Sequence, residues 1–302
     1  MPSEASKRWL AISQKFPIGP KRRSGLLRST EPTEDVIPGQ LRQAYWQDTS
    51  VVVVIDSIDD TNAQALVFPV TLEPGVENDA AVIIEGEASP LHGPITAWPD
   101  TMASVPFSAL GARIAAVPKP LLRIIKETTS KKPVVEGFRQ GYADPPLGSG
   151  AEIAIADLFD ALDVLKTAPQ LRPASGVTAI TQLQIPLPAI MSALQVPQPR
   201  AVAIRMGKEL LTFEDAQRLA TTEGLPVSDV LGAIAPLPDD LRRELQEPRW
   251  RAHIRQRATD GDEEQARTRL GHEAYQLAAR ETGLGREYWR QCIETVLATG
   301  TR

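Results

Sequence analysis

The sequence predicts an α+β protein in which a small β-barrel is followed by an all-helical C-terminal domain. Short apolar runs separated by turn signals fill residues 36–128, and a segment rich in Lys, Pro, Gly and Ser occupies residues 129–150. From residue 151 to residue 302 the apolar residues recur at helical spacing. Residues 1–35 precede these segments as a basic arm. We therefore expect two folded domains joined by a linker, which suits a chain of 302 residues.

The predicted barrel begins with extended runs of strand-forming residues. Residues 38–55 open with Pro-Gly and continue through two such runs, and residues 64–72 and 79–87 give two more, separated by the turn-like EPGVEN. After a further apolar run, residues 118–128 have a proline near their start and a basic last turn, which predicts a helix. This pattern of short strands and one or two helices is typical of a compact, strongly curved barrel.

Beyond the predicted linker, the first helix is indicated by the segment GAEIAIADLFDALDVLKTAP. Its apolar side chains recur three and four residues apart, which is the spacing of an amphipathic helix. They are Ile155, Leu158, Phe159, Leu162 and Leu165.

An internal similarity relates two later stretches of the helical region. Residues 181–196 and 221–236 superpose at an offset of 40, with Pro186 and Pro226 in the same position and apolar residues in phase after them. Each stretch predicts a turn followed by a short helix. Two copies do not define a repeat architecture, which needs about three.

Charge is distributed unevenly along the chain. The net charge is -5, but residues 1–30 contain seven Lys and Arg against one acidic residue, whereas residues 31–130 contain five against fourteen. A barrel this acidic would repel a phosphate backbone. The basic arm, with Lys21, Arg22 and Arg23 at its centre, fits three alternatives: contact with nucleic acid, contact with an acidic partner surface, or a solvated tail.

The cysteine content and the hydropathy of the sequence indicate in which cellular compartment the protein resides. Cys292 is the only cysteine, which excludes a disulfide framework and suits a reducing cytoplasm, and its helical surroundings predict a buried apolar role. No run approaches the roughly 18 apolar residues of a membrane span, and no apolar segment of a secretory signal follows the N-terminal basic residues. We expect a cytoplasmic protein that does not contact a membrane.

The barrel region resembles a superfamily of toxins. The strand that ends in Pro-x-Thr at residues 69–71, and the segment MASVPFSALGARIA at residues 102–115, are similar to the CcdB/MazF/PemK toxins of toxin–antitoxin systems across residues 36–128. The resemblance implies a small SH3-like β-barrel that forms a homodimer. Trp98 and Met102 would then pack at the barrel wall and the dimer interface.

The same resemblance implies two toxin activities. In MazF-like endoribonucleases the counterpart of Thr71 helps to stabilise the attacked phosphate, together with an arginine that acts as acid and base. The span from Ile55 to Leu66 contains three Asp and no Arg, Lys or His, so a ribonuclease here would lack that cation. A CcdB-like action on DNA gyrase would need an aromatic residue near a free end of the barrel helix, and LLRIIKETTSKK contains none.

Residues 210–234 resemble the helix-turn-helix of Cro and repressor proteins. Thr212 would cap the first helix, Gly224 lies at the turn, and Ser228 stands near the start of the second helix beside Asp229. The alternative is a helical hairpin in a domain that binds proteins. For the DNA-binding alternative, the predicted contacts are Arg218, Ser228, Arg242, Arg243, Arg249, Arg251 and Arg255, with Lys21, Arg22 and Arg23 of the arm.

No pattern in the sequence calls for a metal or another cofactor, because Gln276 stands where a zinc helix would carry a second His after His272. Our hypothesis is a non-catalytic regulatory protein of a toxin–antitoxin or phage-defence type system. It would dimerise through the barrel and bind DNA or a protein partner, antitoxin-like or metallopeptidase-like, through the helical domain. The alternatives are a MazF-like endoribonuclease toxin and a protein-binding scaffold without nucleic-acid contact.

Overall fold

The computed structural model describes residues 34–128, 135–171, 185–206, 211–234, 237–259, 261–278, 283 and 285–299. The chain divides into two units. Unit 1 comprises Met1–Gln170 and Glu247–Arg249, and unit 2 comprises Leu171–Gln246 and Trp250–Arg302. Lys21, Arg22 and Arg23 of the predicted basic arm lie outside the described residues.

Unit 1 is built on an eight-stranded antiparallel sheet. Its strands are β1 (Gln40–Trp46), β2 (Thr49–Asp59), β3 (Gln64–Thr71), β4 (Val82–Ile84), β5 (Ile95–Ala97), β6 (Ala103–Pro106), β7 (Leu110–Ala116) and β8 (Phe138–Gln140). The order across the sheet is β7-β1-β2-β3-β5-β4-β8, and β6 also pairs with β3. Because β7 and β8 do not pair with each other in the described part of the chain, the sheet is open. The α+β class is confirmed, whereas the barrel that the sequence predicted is not closed.

Strand β2 shows that both faces of the sheet are covered. Successive side chains of a strand point to opposite faces, so Val51, Val53 and Ile55 lie on one face and Val52 and Val54 on the other. All five are buried. We call these the first face and the second face. A strand buried on both sides is expected to be a continuous apolar run, and the VVVVI segment of β2 is one.

One helix packs against each face of the sheet. Helix α1 (Lys119–Thr128) buries Ile125 in the core of the second face. Helix α2 (Gly150–Leu165) buries Leu158 and Leu162 in the core of the first face, and it follows the predicted apolar spacing. The predicted start of the helical domain, at residue 151, therefore lies inside unit 1.

The segment predicted to be a linker contains a strand of the sheet. In β8, Arg139 stands opposite Ile83 of β4. Its guanidinium donates hydrogen bonds to Glu77 at 2.5 Å and to Glu85 at 2.9 Å, and these carboxylates raise its pKa. The same guanidinium lies 4.9 Å from the centre of the Tyr142 ring. These contacts hold β8 at the edge of the sheet.

Unit 2 is helical throughout its described elements. They are α3 (Leu187–Leu194), α4 (Gln198–Arg205), α5 (Phe213–Glu223), α6 (Val227–Ile234), α7 (Asp239–Leu245), α8 (Arg251–Arg257), α9 (Glu263–Ala278) and α10 (Arg286–Thr299). Helices α3 to α6 share one apolar core, which includes Ile190 and Val230. Helices α7 to α10 share a second core, which includes Leu245 and Ile293.

The internal similarity of the sequence corresponds to two helix pairs. Helices α3 and α6 each begin one residue after a proline, Pro186 and Pro226, and each has eight residues. The helices that follow also correspond, because α4 and α7 each begin directly after a proline N-cap, Pro197 and Pro238. We call α3 with α4 the first helix pair, and α6 with α7 the second helix pair.

Replacing Gly141 by Ala should destabilise unit 1. The added Cβ would lie 2.0 Å from the carbonyl oxygen of Asn78, a backbone atom that cannot rotate away, so β8 would have to move from β4. We expect the free energy of unfolding to fall by about 1–3 kcal/mol, measured by urea denaturation. Gly150→Ala is the matched control, because nothing lies within 4 Å of its added Cβ. A Gly141→Ala protein as stable as the control would contradict the close approach.

Candidate functional site

Thr71, the residue of the ribonuclease alternative, is buried at the end of β3. Its Oγ1 accepts a hydrogen bond from the backbone N–H of Glu73 at 3.1 Å, and its partner across the sheet is Thr96 of β5. The hydroxyl therefore serves the turn that follows β3. Buried in this way, it presents no exposed oxygen to a phosphate group.

Trp98 and Met102, the predicted dimer contacts, differ in exposure. Trp98 is completely buried. Its Nε1 donates a hydrogen bond to Asn78 at 2.8 Å, and its ring meets the edge of Phe159 of α2 with 6.0 Å between ring centres. Met102 is 37% exposed. Trp98 thus belongs to the core of the first face, and of the two residues Met102 is the one with apolar surface available to a second copy.

Three of the arginines predicted to contact phosphate lie inside unit 2. Arg242, Arg243 and Arg251 are all buried. Arg242 forms an ion pair with Asp239 at 3.1 Å, and Arg251 lies 3.6 Å from the carboxylate of Glu263. Guanidinium groups that are buried to this degree do not reach the backbone of a duplex.

Glu263 is the centre of a buried charge cluster between α8 and α9. Its carboxylate lies 2.7 Å from Nε of Arg255, 3.6 Å from Nε of Arg251 and 4.0 Å from Nη2 of Arg267. Arg267 is completely buried, and desolvation lowers its pKa to about 10 although Glu263 acts to raise it. A buried charge is tolerated when an opposite charge lies close, so these arginines hold α8 and α9 together. Arg255, at the rim of the cluster, is exposed.

Glu244 of α7 is the centre of a second buried cluster. It is completely buried and accepts a hydrogen bond from Nε1 of Trp250 at 3.2 Å. Its carboxylate also forms ion pairs with Arg286 at 3.0 Å and Arg290 at 3.1 Å, both of α10. Helix α10 therefore packs against the side of α7 that carries Glu244, and the two helices are joined by ion pairs between this carboxylate and two guanidinium groups.

Arg249, another predicted phosphate contact, belongs to unit 1 and forms an ion pair with Asp35. Near it, Arg42 is completely buried and donates a hydrogen bond to the carbonyl oxygen of Gly111 at 2.8 Å. Burial lowers the pKa of Arg42 to about 10, and the nearby carboxylate of Glu247 acts in the opposite direction. These charges organise the chain at the start of β1.

The hairpin of α5 and α6 has the local geometry that the sequence predicted. The hydroxyl of Thr212 accepts a hydrogen bond from the N–H of Asp215 at 3.1 Å, which caps α5, and Gly224 ends that helix with a φ of 68°. Arg218 of α5 and Ser228 of α6 are both exposed. They are the predicted DNA contacts that the structure places on this hairpin.

The charges around this hairpin do not form a basic surface. Arg218 lies 3.8 Å from Asp215, and Asp229 stands exposed beside Ser228 in the first turn of α6. In the described residues from Ile185 to Ile234 there are three Arg and four acidic residues. A carboxylate at the N-terminal end of a recognition helix repels the phosphates that such a helix must approach.

Two exposed apolar residues of α4 were not among the predicted site residues. Val202 is 41% exposed and Met206, the residue after the helix, is 61% exposed. They lie four residues apart, so their side chains are neighbours on one side of the helix. The opposite side of α4 buries Ala201 and Ile204 in the core. Apolar residues on both sides of so short a helix are the sequence signal that could have identified this surface.

In the part of the chain that the structure describes, no three His, Cys, Asp or Glu side chains lie close enough together to hold a metal ion. None of the described helices combines the length and the apolar character needed to cross a membrane. The chain matches no protein-family model, no curated protein and no solved structure.

His272 of α9 makes stability depend on pH. It is buried, and desolvation lowers its pKa from 6.5 to about 4. Between pH 6.5 and 4 the imidazole of His272 is protonated in the unfolded chain and neutral in the folded chain. The contribution of His272 to stability is therefore lost as the pH falls. We predict a loss of up to about 3 kcal/mol in the free energy of unfolding between pH 6.5 and 4.

Urea denaturation across this pH range compares wild type with His272→Gln, which removes the titrating ring and should flatten the dependence. His253→Gln, at a half-buried position of α8, is the matched control. An unchanged pH dependence in His272→Gln would show that His272 does not carry the effect.

Proposed function

We propose that this chain is a non-catalytic regulatory protein whose helical unit binds a protein partner. The observation that carries the proposal is that arginines of unit 2 form ion pairs with carboxylates of the same unit instead of forming a basic surface. Arg242, Arg251 and Arg255 are paired in this way. The hairpin of α5 and α6 has a mixed surface rather than a basic one. The buried hydroxyl of Thr71 gives a MazF-like endoribonuclease no support.

The same proposal includes two further points. Unit 1 is related to the CcdB/MazF/PemK fold, and the protein dimerises through unit 1. An antiparallel sheet followed by a helix is compatible with such a fold, and Met102 offers apolar surface beside β6. The biological setting would be a toxin–antitoxin or phage-defence type system. Its partner would be an antitoxin-like or a metallopeptidase-like protein.

DNA binding is the second candidate function, because the capped hairpin of α5 and α6 exposes Arg218 and Ser228. A protein that reads DNA with this hairpin would place the start of α6 in the major groove, with Arg218 on a phosphate. The two candidate functions predict that different residues bind a duplex. A protein-binding chain would contact DNA only through its basic arm, whereas a DNA-binding chain would contact it through the hairpin of α5 and α6.

Duplex binding by the full-length protein should depend on the basic arm and not on the hairpin. Labelled duplex DNA is titrated with protein at about 50 mM and about 200 mM salt, and binding is followed by electrophoretic mobility shift. Any shift should be abolished by the higher salt and weakened about tenfold by the triple change Lys21→Ala, Arg22→Ala and Arg23→Ala, because arm contacts to phosphate are electrostatic. Arg218→Ala should bind like wild type. Loss of binding in Arg218→Ala would instead make the protein a DNA-binding regulator.

Met102→Asp should weaken self-association without unfolding the chain. A carboxylate in an apolar dimer contact would be desolvated without a partner, whereas in the monomer this position is exposed. We expect the dissociation constant of the dimer to rise by about tenfold or more. Light scattering after size-exclusion chromatography measures this change. Trp98→Ala is the contrasting variant, expected to lower the free energy of unfolding by about 3–5 kcal/mol. A dimer of unchanged affinity in Met102→Asp would remove Met102 from the interface.

A further inference from the structure

We propose that unit 1 of one copy binds unit 1 of a second copy head to tail, through a basic helix of the one and an acidic helix of the other. The basic helix is α1, on the second face of the sheet, and the acidic helix is α2, on the first face. The basic stripe of α1 consists of Lys119, Arg123 and Lys126. The acidic stripe of α2 consists of Asp157, Asp160 and Asp163. This inference goes beyond the proposed function, and Met102 takes no part in it.

The basic stripe lies on the side of α1 that faces away from the sheet. Its three cations are exposed and stand four and three residues apart, so they share one side of the helix. Arg123 lies 3.7 Å from Glu127 of the same helix, in an exposed and therefore weak pair, and Lys126 lies 2.8 Å from Asp56. Lys119 forms no ion pair with a carboxylate of the described residues. Lys119 and Arg123 therefore supply most of the positive charge that this side of α1 offers to a partner.

Cations are scarce elsewhere on unit 1. In its described part, eight Lys and Arg accompany twenty acidic residues. Outside the basic stripe, Arg42 is buried and the other four cations are each paired with a carboxylate. These four are Arg113, Arg139, Lys166 and Arg249. Most of unit 1 therefore repels an acidic surface, whereas α1 attracts one at short range, since exposed charges are screened beyond about 10 Å at ordinary salt.

The acidic stripe lies on the side of α2 that faces away from the sheet. Its members are three residues apart and wind across that side, with Asp160 at the centre. Asp160 is exposed and Asp157 is half-buried, and neither has an ion pair or hydrogen bond with a described residue. Asp163 lies 2.6 Å from Lys166 in an exposed pair. Ile153, which is 52% exposed, lies on the same side of the helix, one turn before Asp157.

The two stripes match in sign and in length. The basic stripe extends about 10 Å along α1, and the acidic stripe extends about 9 Å along α2. When the two helices pack side by side, guanidinium and ammonium groups of α1 reach the carboxylates of α2. The apolar stems of the same Lys and Arg side chains then cover Ile153. This complementarity makes a second copy of the chain the partner that fits both surfaces.

The positions of the stripes decide the form of the assembly. They lie on helices that cover opposite faces of one sheet, so the same two copies cannot make the contact twice. Each copy would therefore bind one neighbour through α1 and another through α2, which builds an extended chain or a ring of copies. A contact between two helices is smaller than a standard interface of about 1,600 Å², so the association should be weak and should increase with protein concentration.

Charge reversal tests this inference on the full-length protein. Sedimentation velocity at rising protein concentration should show species larger than a dimer for wild type. The basic-reversed variant is Lys119→Glu with Arg123→Glu, and the acid-reversed variant is Asp160→Lys with Asp163→Lys. Each alone should associate about tenfold more weakly or less, because like charges then face each other. All four positions are exposed, and the changes at Lys119 and Asp163 suit the helix dipole, so both variants should stay folded.

A mixture of the two variants gives the sharpest result. The acid-reversed variant keeps its basic stripe and the basic-reversed variant keeps its acidic stripe. An equal mixture should therefore form large species that neither variant forms alone. A mixture that associates no better than the separate variants would overturn the inference.

The matched control is Asp48→Lys with Glu87→Lys. It changes the net charge as the acid-reversed variant does, at exposed positions of unit 1 outside α2. It should associate like wild type. A loss as large as that in the acid-reversed variant would show that net charge, and not α2, sets the association, which would overturn the inference.

The remaining outcomes separate this inference from the proposed dimer. Association that is lost in the acid-reversed variant and kept in the basic-reversed variant would assign α2 to a cation outside α1, and the inference would be wrong. A wild type that stops at a dimer, lost in Met102→Asp and kept in both reversed variants, would overturn the inference and support the proposed dimer. Large species that persist in Met102→Asp and disappear in both reversed variants would support the inference, whether or not Met102 forms a dimer.

Discussion

The burial of arginine side chains is the constraint on which both units depend. In unit 1 Arg42 donates hydrogen bonds to the backbone carbonyl oxygens of Gly111 and Glu34, whereas in unit 2 the buried carboxylate of Glu263 lies beside Arg251 and Arg267. Arg42 in unit 1, and Arg251 and Arg267 in unit 2, have lost almost all contact with water. Removing one partner of such a pair leaves a buried charge uncompensated, which is strongly destabilising. Each carboxylate therefore constrains several elements at once, as Glu244 does for α7 and α10.

This constraint also shapes the surface of the helical unit. Arginines that are neutralised inside the fold no longer contribute to a basic face, so a chain with many Lys and Arg residues exposes little positive charge around α5 and α6. In the described part of unit 2, the exposed large apolar side chains are Val202 and Met206, both at α4. A surface of this kind suits a protein partner better than a phosphate backbone, because apolar burial drives protein association while phosphate contact needs cations.

The features that sequence analysis predicted well are those set by neighbouring residues. The apolar spacing of α2, the cap at Thr212 and the left-handed glycine at position 224 each depend on interactions within one or two turns of helix. The offset of 40 between α3 and α6 was visible because the same local signals occur twice. Val202 and Met206 were missed although α4 has apolar residues on both sides, because that pattern indicates an exposed apolar side but not which side it is.

By itself, the sequence determined the α+β class, the strand and helix character of most segments, and the caps of the helical hairpin. Only the tertiary structure decided that the sheet stays open, that α2 and β8 belong to unit 1, and that Trp98 is completely buried in the core of the first face. It also decided that Arg242, Arg243 and Arg251 face inward. The physical reason is the same in each case. Hydrogen bonds and packing within a turn or a strand are encoded by adjacent residues, whereas burial and ion pairing depend on partners far away along the chain.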